Sequence, residues 1–387
     1  MGNERIYLDF NATAPVRSSV REKIASAQEL IGNPSSVHSE GRAARVAIEQ
    51  ARETVAGLVG ARARDVTFTA SGTEAANLVL TPAIESTGAA GPIKRLVLSA
   101  GEHPCVIRGQ RFGASALEIL PLDADGRVKL EVLEAAIGGE GRVMLALQAA
   151  NNETGVVQPV AEAAAIAHAQ GAVVVCDAVQ YFGRAQCRLE ALGADFLILS
   201  SHKLGGPKGA GALVAASENH RIAAPLLRGG GQERGLRAGT ENVAAIVGFA
   251  AAAAEAAAEI ETEGVRLVEL REGLFNEVVA VAPDAVVFGA AAERLPNTLC
   301  FAIPGVSAET LVIGLDLAGV AVSSGAACSS GKVARSHVLM AMGVASTLAG
   351  SAVRLSLGWS STNQDVRGFG EALARVLASM RRNQSAA

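Results

Sequence analysis

Two polar side chains follow runs of apolar residues that have the pattern of buried strands. Asp177 comes directly after the run at 172–176, and Lys203 comes shortly after the run at 196–199. Ligands bind at the carboxyl ends of strands in open α/β sheets, so these positions favour a site. Each residue also has a plainer explanation. A carboxylate at a strand end can cap a helix, and a single loop lysine is more often only solvated.

Asp177 and Lys203 together indicate a more specific chemistry. A lysine amine forms a Schiff base with an aldehyde cofactor, and pyridoxal phosphate also needs an acidic partner for its ring nitrogen. Ser71, Gly72 and Thr73 open a predicted helix, where backbone N–H groups and the helix dipole suit a phosphate. This triplet alone is more often an ordinary N-cap. The combination predicts a pyridoxal-phosphate site.

Cys328 differs from the other cysteines in its surroundings. It lies in a run of small residues between Ser323 and Lys332, which we expect to form a flexible loop that exposes the thiol. A nearby cation such as Lys332 favours the thiolate, which is the nucleophilic form of cysteine. The cysteines for which we expect a structural or incidental role are Cys105, Cys176, Cys187 and Cys300.

Other ligand motifs are missing from the sequence. No G-x-G-x-x-G follows a predicted strand, and the stretch at 325–332 is one residue too long for a P-loop and is followed by Val333 instead of Ser or Thr. No H-E-x-x-H occurs, and the six histidines do not group with cysteines at zinc-ligand spacing. We therefore expect neither nucleotide hydrolysis nor a metal site.

Helical patterns alternate with short β-branched runs from about residue 42 to residue 215. The predicted strands lie at 66–69, 95–98, 143–147, 172–176, 195–199 and 212–215. This alternation predicts an α/β fold with a mainly parallel sheet. Beyond it we expect an Ala-rich helix over 240–263, a separate amphipathic helix over 265–281, and a smaller α+β domain.

Composition sets the limits of this interpretation. The 387 residues exceed one typical domain of about 150 residues, and 50% are apolar while 19% are charged, which excludes a disordered chain. The net charge of −4 gives no argument for nucleic acid or an anionic membrane.

The odd cysteine count without C-x-x-C fits a reducing cytosol. The most apolar stretch, at 243–254, is shorter than the roughly 20 residues that cross a bilayer. We expect a cytoplasmic protein.

The order of the motifs resembles that of the NifS/IscS-type cysteine desulfurases, which belong to the class V aminotransferase group. The resemblance runs from Tyr7 to about Trp359. Its motifs lie at 33–38, 71–77, 102–103, 151–155, 177–180, 200–203, 229–242, around Cys328 and at 353–356.

The resemblance implies the aspartate aminotransferase-like fold type I of pyridoxal-phosphate-dependent transferases. The large domain would cover 15–255 and hold a mainly parallel seven-stranded sheet. The small α+β domain would combine 1–14 with 256–387, and it would carry the Cys328 loop and Arg354.

The resemblance also implies roles around the cofactor ring. Lys203 would carry pyridoxal phosphate covalently, Asp177 would pair with the pyridine nitrogen, and Gln180 would hydrogen-bond the ring hydroxyl. His103 would stack on the ring and transfer protons.

Further matched residues would hold the phosphate and the substrate. The residues implied at the phosphate are Gly72, Thr73, Ser200, His202 and Thr240, the last reaching in from the second subunit of a homodimer. Arg354 and Asn152 would bind the carboxylate of the substrate, since an Arg guanidinium offers two donors to that group.

The implied reaction converts L-cysteine to L-alanine and leaves the sulfur on Cys328 as a persulfide. An acceptor protein, either an Fe–S scaffold or a sulfurtransferase, would then take the sulfur. A selenocysteine lyase or another class V aminotransferase is the nearest alternative, although a plain aminotransferase has no use for Cys328. A non-catalytic interaction subunit on the same fold is a third possibility.

Overall fold

The computed structural model describes residues 5–325 and 335–385, with side chains as far as residue 382. The strands are β1 (Ile6–Tyr7), β2 (Val66–Thr69), β3 (Ile84–Ser86), β4 (Ile93–Ser99), β5 (Leu117–Leu120), β6 (Arg142–Gln148), β7 (Val173–Asp177), β8 (Phe196–Ser200), β9 (Gly211–Ala215), β10 (His220–Ile222), β11 (Val286–Val287), β12 (Thr298–Ala302), β13 (Val320–Ala321), β14 (Ser323–Ser324) and β15 (Ala352–Ser356). The α-helices are α1 (Ser18–Gln28), α2 (Ser39–Val59), α3 (Gly72–Val79), α4 (Pro104–Ile107), α5 (Leu133–Ile137), α6 (Val160–Ala169), α7 (Leu189–Leu192), α8 (Val243–Val281), α9 (Ala308–Leu317), α10 (His337–Ala341), α11 (Ser346–Ala349) and α12 (Asn363–Ser385).

Seven strands form the large sheet, in the order β2-β9-β8-β7-β6-β4-β5. Strand β9 runs antiparallel to both of its neighbours, and the other four pairs are parallel. The prediction of a mainly parallel seven-stranded sheet is therefore confirmed.

The central strands are buried on both faces, which explains their unbroken apolar sequences. Along β7, Val174 and Cys176 belong to one hydrophobic cluster, whereas Val173 and Val175 belong to another on the opposite face. Successive side chains of a strand point to opposite faces, so this division follows directly from the pleat. The strand ends in Asp177, at the carboxyl ends of the parallel strands.

A second sheet is antiparallel and has the order β11-β12-β15-β14. Its core takes residues from both parts of the chain, including Leu8 near the N-terminus and Leu274, Phe301 and Phe369 far along the chain. Strand β1 also pairs in parallel with β13. The domain limits that we expect after residues 14 and 255 remain predictions.

Helix α8 is one continuous helix of 39 residues, so the prediction of two separate helices is wrong. Gly264 lies where we expected the break, but an isolated glycine costs a helix only about 1 kcal/mol relative to alanine. The early part of α8 buries Phe249 in the core of the large sheet, and the later part buries Leu270 and Leu274 in the second core.

Helix α8 is also long and apolar enough to cross a membrane by length and composition alone. The helix of 39 residues is longer than the twelve-residue apolar stretch at 243–254 seen in the sequence. In its most apolar window 44% of the residues are buried inside the protein.

Candidate active site

A cavity of about 350 Å³ opens where β7 and β8 end. Ten of the predicted site residues line it: Gly72, Thr73, His103, Asn152, Asp177, Gln180, Ser200, His202, Lys203 and Arg354. Thr240 is exposed and does not line this cavity, and Cys328 lies outside the described residues. The strand ends therefore bring together side chains that are far apart in the sequence.

Lys203 closes a short 3₁₀ turn that follows β8. Its Nζ donates hydrogen bonds to the carbonyl oxygens of Asn11 (2.6 Å) and Ala12 (2.9 Å). The backbone of Lys203 is held as well, because Arg184 Nη2 donates to its carbonyl oxygen at 3.0 Å. The amine is thus fixed at the wall of the cavity by the N-terminal segment.

Asp177 is the last residue of β7, and its Oδ1 accepts a hydrogen bond from the backbone N–H of Val179 at 2.9 Å. Burial raises the pKa of its carboxyl to about 6, although the Val179 N–H and the charge of Lys203 act in the opposite direction. Above that pH Asp177 is an anion, as the partner of a protonated ring nitrogen must be.

Gln180 lies in a turn three residues beyond Asp177, and its side chain is held at both ends. Its Nε2 donates to the carbonyl oxygen of Asn11 at 3.0 Å, and its Oε1 accepts from Arg184 Nη1 at 2.5 Å. The amide is therefore fixed in one orientation beside the cavity.

His103 precedes α4, and its Nδ1 accepts a hydrogen bond from the backbone N–H of Cys105 at 3.2 Å. The thiol of Cys105 lies 3.0 Å from the same nitrogen. Burial lowers the pKa of His103 to about 4, and the positive charges of Lys203, His337 and Arg354 add to the effect. The imidazole is neutral near pH 7, and its proton resides on Nε2.

The start of α3 forms the end of the cavity that suits a phosphate. The Ser71 hydroxyl caps the helix by accepting from the Glu74 N–H at 3.1 Å. A Cβ on Gly72 would lie 2.9 Å from Val179 Cγ2, so only glycine allows this close approach. The hydroxyl oxygen of Ser200 is buried and has no hydrogen-bond partner among the described residues, which leaves it available to a ligand.

His202 lies beside this end of the cavity. Its Nδ1 is 2.8 Å from the Thr13 hydroxyl. Burial lowers its pKa to about 4, and the cationic Lys203, Lys208 and Arg184 act in the same direction. It is therefore a neutral hydrogen-bonding group near pH 7.

Arg354 projects from β15, and its guanidinium is only 3% exposed. Nη1 donates to the carbonyl oxygen of Asn152, and Nη2 donates to Asp9 Oδ1, both at 2.8 Å. Its Nε is buried and unpartnered among the described residues. These contacts orient a planar donor group toward the cavity, as recognition of a carboxylate requires.

Sequence reasoning missed three residues that hold the predicted ones in place. Asn11 receives hydrogen bonds from Lys203 and Gln180, Arg184 contacts the same two residues, and Asp9 pairs with Arg354. The contacts of Asp9 and Asn11 join positions more than 150 residues apart, so spacing carries no signal for them. Cys105, for which we expected a structural or incidental role, is a lining residue of the cavity.

Comparison with known proteins places these features in a wider context. The family model described as aminotransferase class-V matches residues 6–369. The protein named cysteine desulfurase IscS from Dictyoglomus turgidum is 37% identical over 97% of this chain and 95% of the relative. A cysteine desulfurase from Cereibacter sphaeroides is 41% identical over 98% of this chain and 97% of the relative. The solved structure of a NifS-like protein from Rickettsia africae has a TM-score of 0.88 and 36% identity, covering 97% of this chain and all of the other.

Proposed function

The chain belongs to the aminotransferase class-V family and is a pyridoxal-phosphate-dependent cysteine desulfurase, and we propose that it removes sulfur from L-cysteine in the cavity around Lys203. The observation that carries this assignment of the site is the convergence of Lys203, Asp177 and Arg354 on one cavity. An amine, a buried carboxylate and a guanidinium are the three groups that the reaction needs for the cofactor aldehyde, the ring nitrogen and the substrate carboxylate.

The residues of the cavity fit pyridoxal phosphate. Ser200 offers a buried hydroxyl without a partner among the described residues, Gly72 leaves space beside the α3 N-terminus, and Thr73 lies in the first turn. Lys203 would hold the aldehyde carbon, and Asp177 would hold the ring nitrogen. When bound, the cofactor supplies an electron sink for negative charge at the substrate α-carbon.

Residues of the chain bind the substrate, transfer the protons and supply the nucleophile. Arg354 and Asn152 bind and orient the carboxylate of L-cysteine, and the Lys203 amine accepts the α-proton. The Cys328 thiolate attacks the substrate sulfur, so that an S–S bond forms as the C–S bond breaks, and the electron pair of that bond stays on carbon. The proton lost by the Cys328 thiol replaces the sulfur on the β-carbon, His103 relays it as a neutral imidazole that gains and passes on a proton, and the carbon product is L-alanine.

A homodimer is part of the proposal. Thr240 is exposed and lies outside the cavity of its own chain, as a residue that serves a second subunit would. Ile31 and Val37 are each 88% exposed, and a second copy would cover such apolar side chains.

The persulfide on Cys328 would pass to an acceptor protein in the cytoplasm, either an Fe–S scaffold or a sulfurtransferase. The name IscS of one relative supports this assignment. The cysteines of the described residues are free thiols, which agrees with a reducing compartment. Neither a nucleic acid nor a membrane is among the proposed partners.

Three variants test the proposed function. Cys328→Ser is expected to keep the absorbance band of the bound cofactor but to release no sulfide from cysteine, because the nucleophile is gone. Lys203→Ala is expected to lose the band of the covalently held cofactor. Cys187→Ala is the matched control and should keep sulfide release, since Cys187 is a buried free cysteine that does not line the cavity. Sulfide release by Cys328→Ser at the wild-type rate would overturn the assignment.

A further inference from the structure

Glu102 is a buried carboxyl group for which the reaction above has no use. It stands directly before His103, its side chain is 0% exposed, and its Oε1 accepts a hydrogen bond from the Gln148 backbone N–H at 2.8 Å. Its Oε2 is buried without a hydrogen-bond partner among the described residues. A buried oxygen without a donor is costly, so its protonation state needs a physical explanation.

The position of Gln148 places Glu102 beside Asp177. Gln148 ends β6 and lies opposite Asp177 in the parallel pairing with β7. The next residue, Ala149, donates its N–H to the carbonyl oxygen of Asp177 at 2.8 Å. Glu102 therefore connects the segment after β4 to the strand end that flanks Asp177.

The backbone of Glu102 takes part in the same arrangement. His337 Nε2 lies 2.9 Å from the carbonyl oxygen of Glu102, at the start of α10. One residue thus contacts the end of β6 through its side chain and α10 through its main chain, immediately before His103.

The two neighbouring carboxyl groups differ in what stabilises a negative charge. Asp177 has the N–H of Val179 and the cation of Lys203, whereas Glu102 has, within residues 5–325 and 335–385, one backbone N–H and the repulsive charge of Asp177. Burial and that charge hold the pKa of Glu102 well above its usual range. An unpaired carboxylate is far more costly to bury than a carboxylic acid, so the proton resides on Glu102.

We propose that Glu102 is a positioning residue that acts as a neutral carboxylic acid, joining the end of β6 to the His103 segment and leaving Asp177 as the anion of the cavity. The role in positioning His103 rests on the proposed function of the cavity. The protonated state of Glu102 does not depend on it.

The test compares two substitutions in the cofactor-loaded protein. Glu102→Gln keeps a neutral side chain and an acceptor for the Gln148 N–H, so we expect kcat for sulfide release to fall less than about threefold. Glu102→Leu removes that acceptor, so we expect kcat to fall at least about tenfold, the equivalent of about 1.4 kcal/mol. The KM for cysteine should change little in both, because Arg354 and Asn152 remain in place.

Infrared difference spectroscopy reads the charge of Glu102 directly. At about pH 8, above the pKa of Asp177 and of Glu153, the wild-type spectrum should contain a carbonyl stretch of a protonated carboxyl that Glu102→Gln removes. Glu153→Gln is the matched control, and it should leave that band in place. This measurement needs no turnover, so it tests the protonated state of Glu102 even where the proposed function is wrong.

Two results would overturn the proposal. The first is a loss of kcat beyond about a hundredfold in Glu102→Gln with fold and bound cofactor intact, because it would show that an anion is required. The second is an unchanged infrared spectrum in Glu102→Gln, because it would place a carboxylate at Glu102 in the wild-type protein.

Discussion

At the scale of single residues, burial moves the acids and bases of the cavity in opposite directions. The pKa of Asp177 rises to about 6, and the pKa of His103 falls to about 4. Near pH 7 His103 is neutral because burial disfavours its charge. Asp177 is mainly an anion at that pH although burial opposes its charge, because the Val179 N–H and the cation of Lys203 stabilise the carboxylate.

Glu153 is a buried residue through which pH should change the stability of the protein. It is 3% exposed, its carboxylate accepts a hydrogen bond from the Ser336 hydroxyl, and burial raises its pKa from 4.5 to about 7. The folded protein holds this proton more tightly than the unfolded chain, so its contribution is complete below pH 4.5 and is lost as the pH rises through 7.

We therefore expect Glu153→Gln to gain stability relative to the wild type between about pH 4.5 and pH 8, by up to about 3 kcal/mol. The glutamine keeps an acceptor for Ser336 but cannot ionise. Urea unfolding of both proteins across this range measures the difference. Parallel stability curves for the two proteins would contradict the prediction.

Much of the site could be predicted because a polar residue that follows an unbroken apolar run marks the end of a buried strand. Asp177 and Lys203 follow buried apolar runs, and family resemblance supplied residues such as Arg354. Asp9 and Asn11 could not be found this way, because their roles come from contacts across the fold to Arg354 and Lys203. Such contacts exist only after the second core has brought both parts of the chain together.

At the scale of elements, the accuracy of prediction followed burial. Strands β7 and β8 are fully buried and were evident as apolar runs. Strand β5 lies at the edge of the sheet and exposes half of Ile119, so its pattern was too weak to predict it. The length of α8 was missed because Gly264 was taken as a break in a helix that tertiary packing holds together.

Two glycines of α8 make a matched pair for testing this helix. A Cβ on Gly264 would meet no atom within 4 Å, so Gly264→Ala should stabilise the protein by about 0.5–1 kcal/mol through helix propensity. A Cβ on Gly248 would lie 2.6 Å from Ile24 Cγ1, so Gly248→Ala should destabilise it by about 1–3 kcal/mol. Denaturant unfolding measures both. Ile24 belongs to α1, so changes of the same sign would mean that α1 does not pack closely against α8 at Gly248.

At the scale of the whole molecule, the exposed position of Thr240 makes the homodimer testable by complementation. Lys203→Ala removes the amine within one subunit, and Thr240→Ala removes the hydroxyl that would serve the other subunit. A mixed dimer of the two variants then contains one site with both groups intact. We expect co-expressed and co-purified mixed dimers to release more sulfide than either variant alone.

The control pairs Lys203→Ala with Arg354→Ala. Both residues line the cavity of their own chain, so every site in that mixed dimer lacks one of them, and no recovery is expected. Recovery in the control, or none in the test pair, would show that Thr240 does not act across subunits.

The pairing of β1 with β13 has a consequence for how the protein is made. Ala321 is synthesised about 300 residues after its partner Tyr7. At about 5–20 residues per second, the first strand waits about 15–60 s for the strand that pairs with it. The large sheet can form during this interval, but the second core cannot close until β12 and β15 have also been synthesised. The protein therefore acquires Arg354, and with it a complete substrate site, only after all strands of the large sheet have been made.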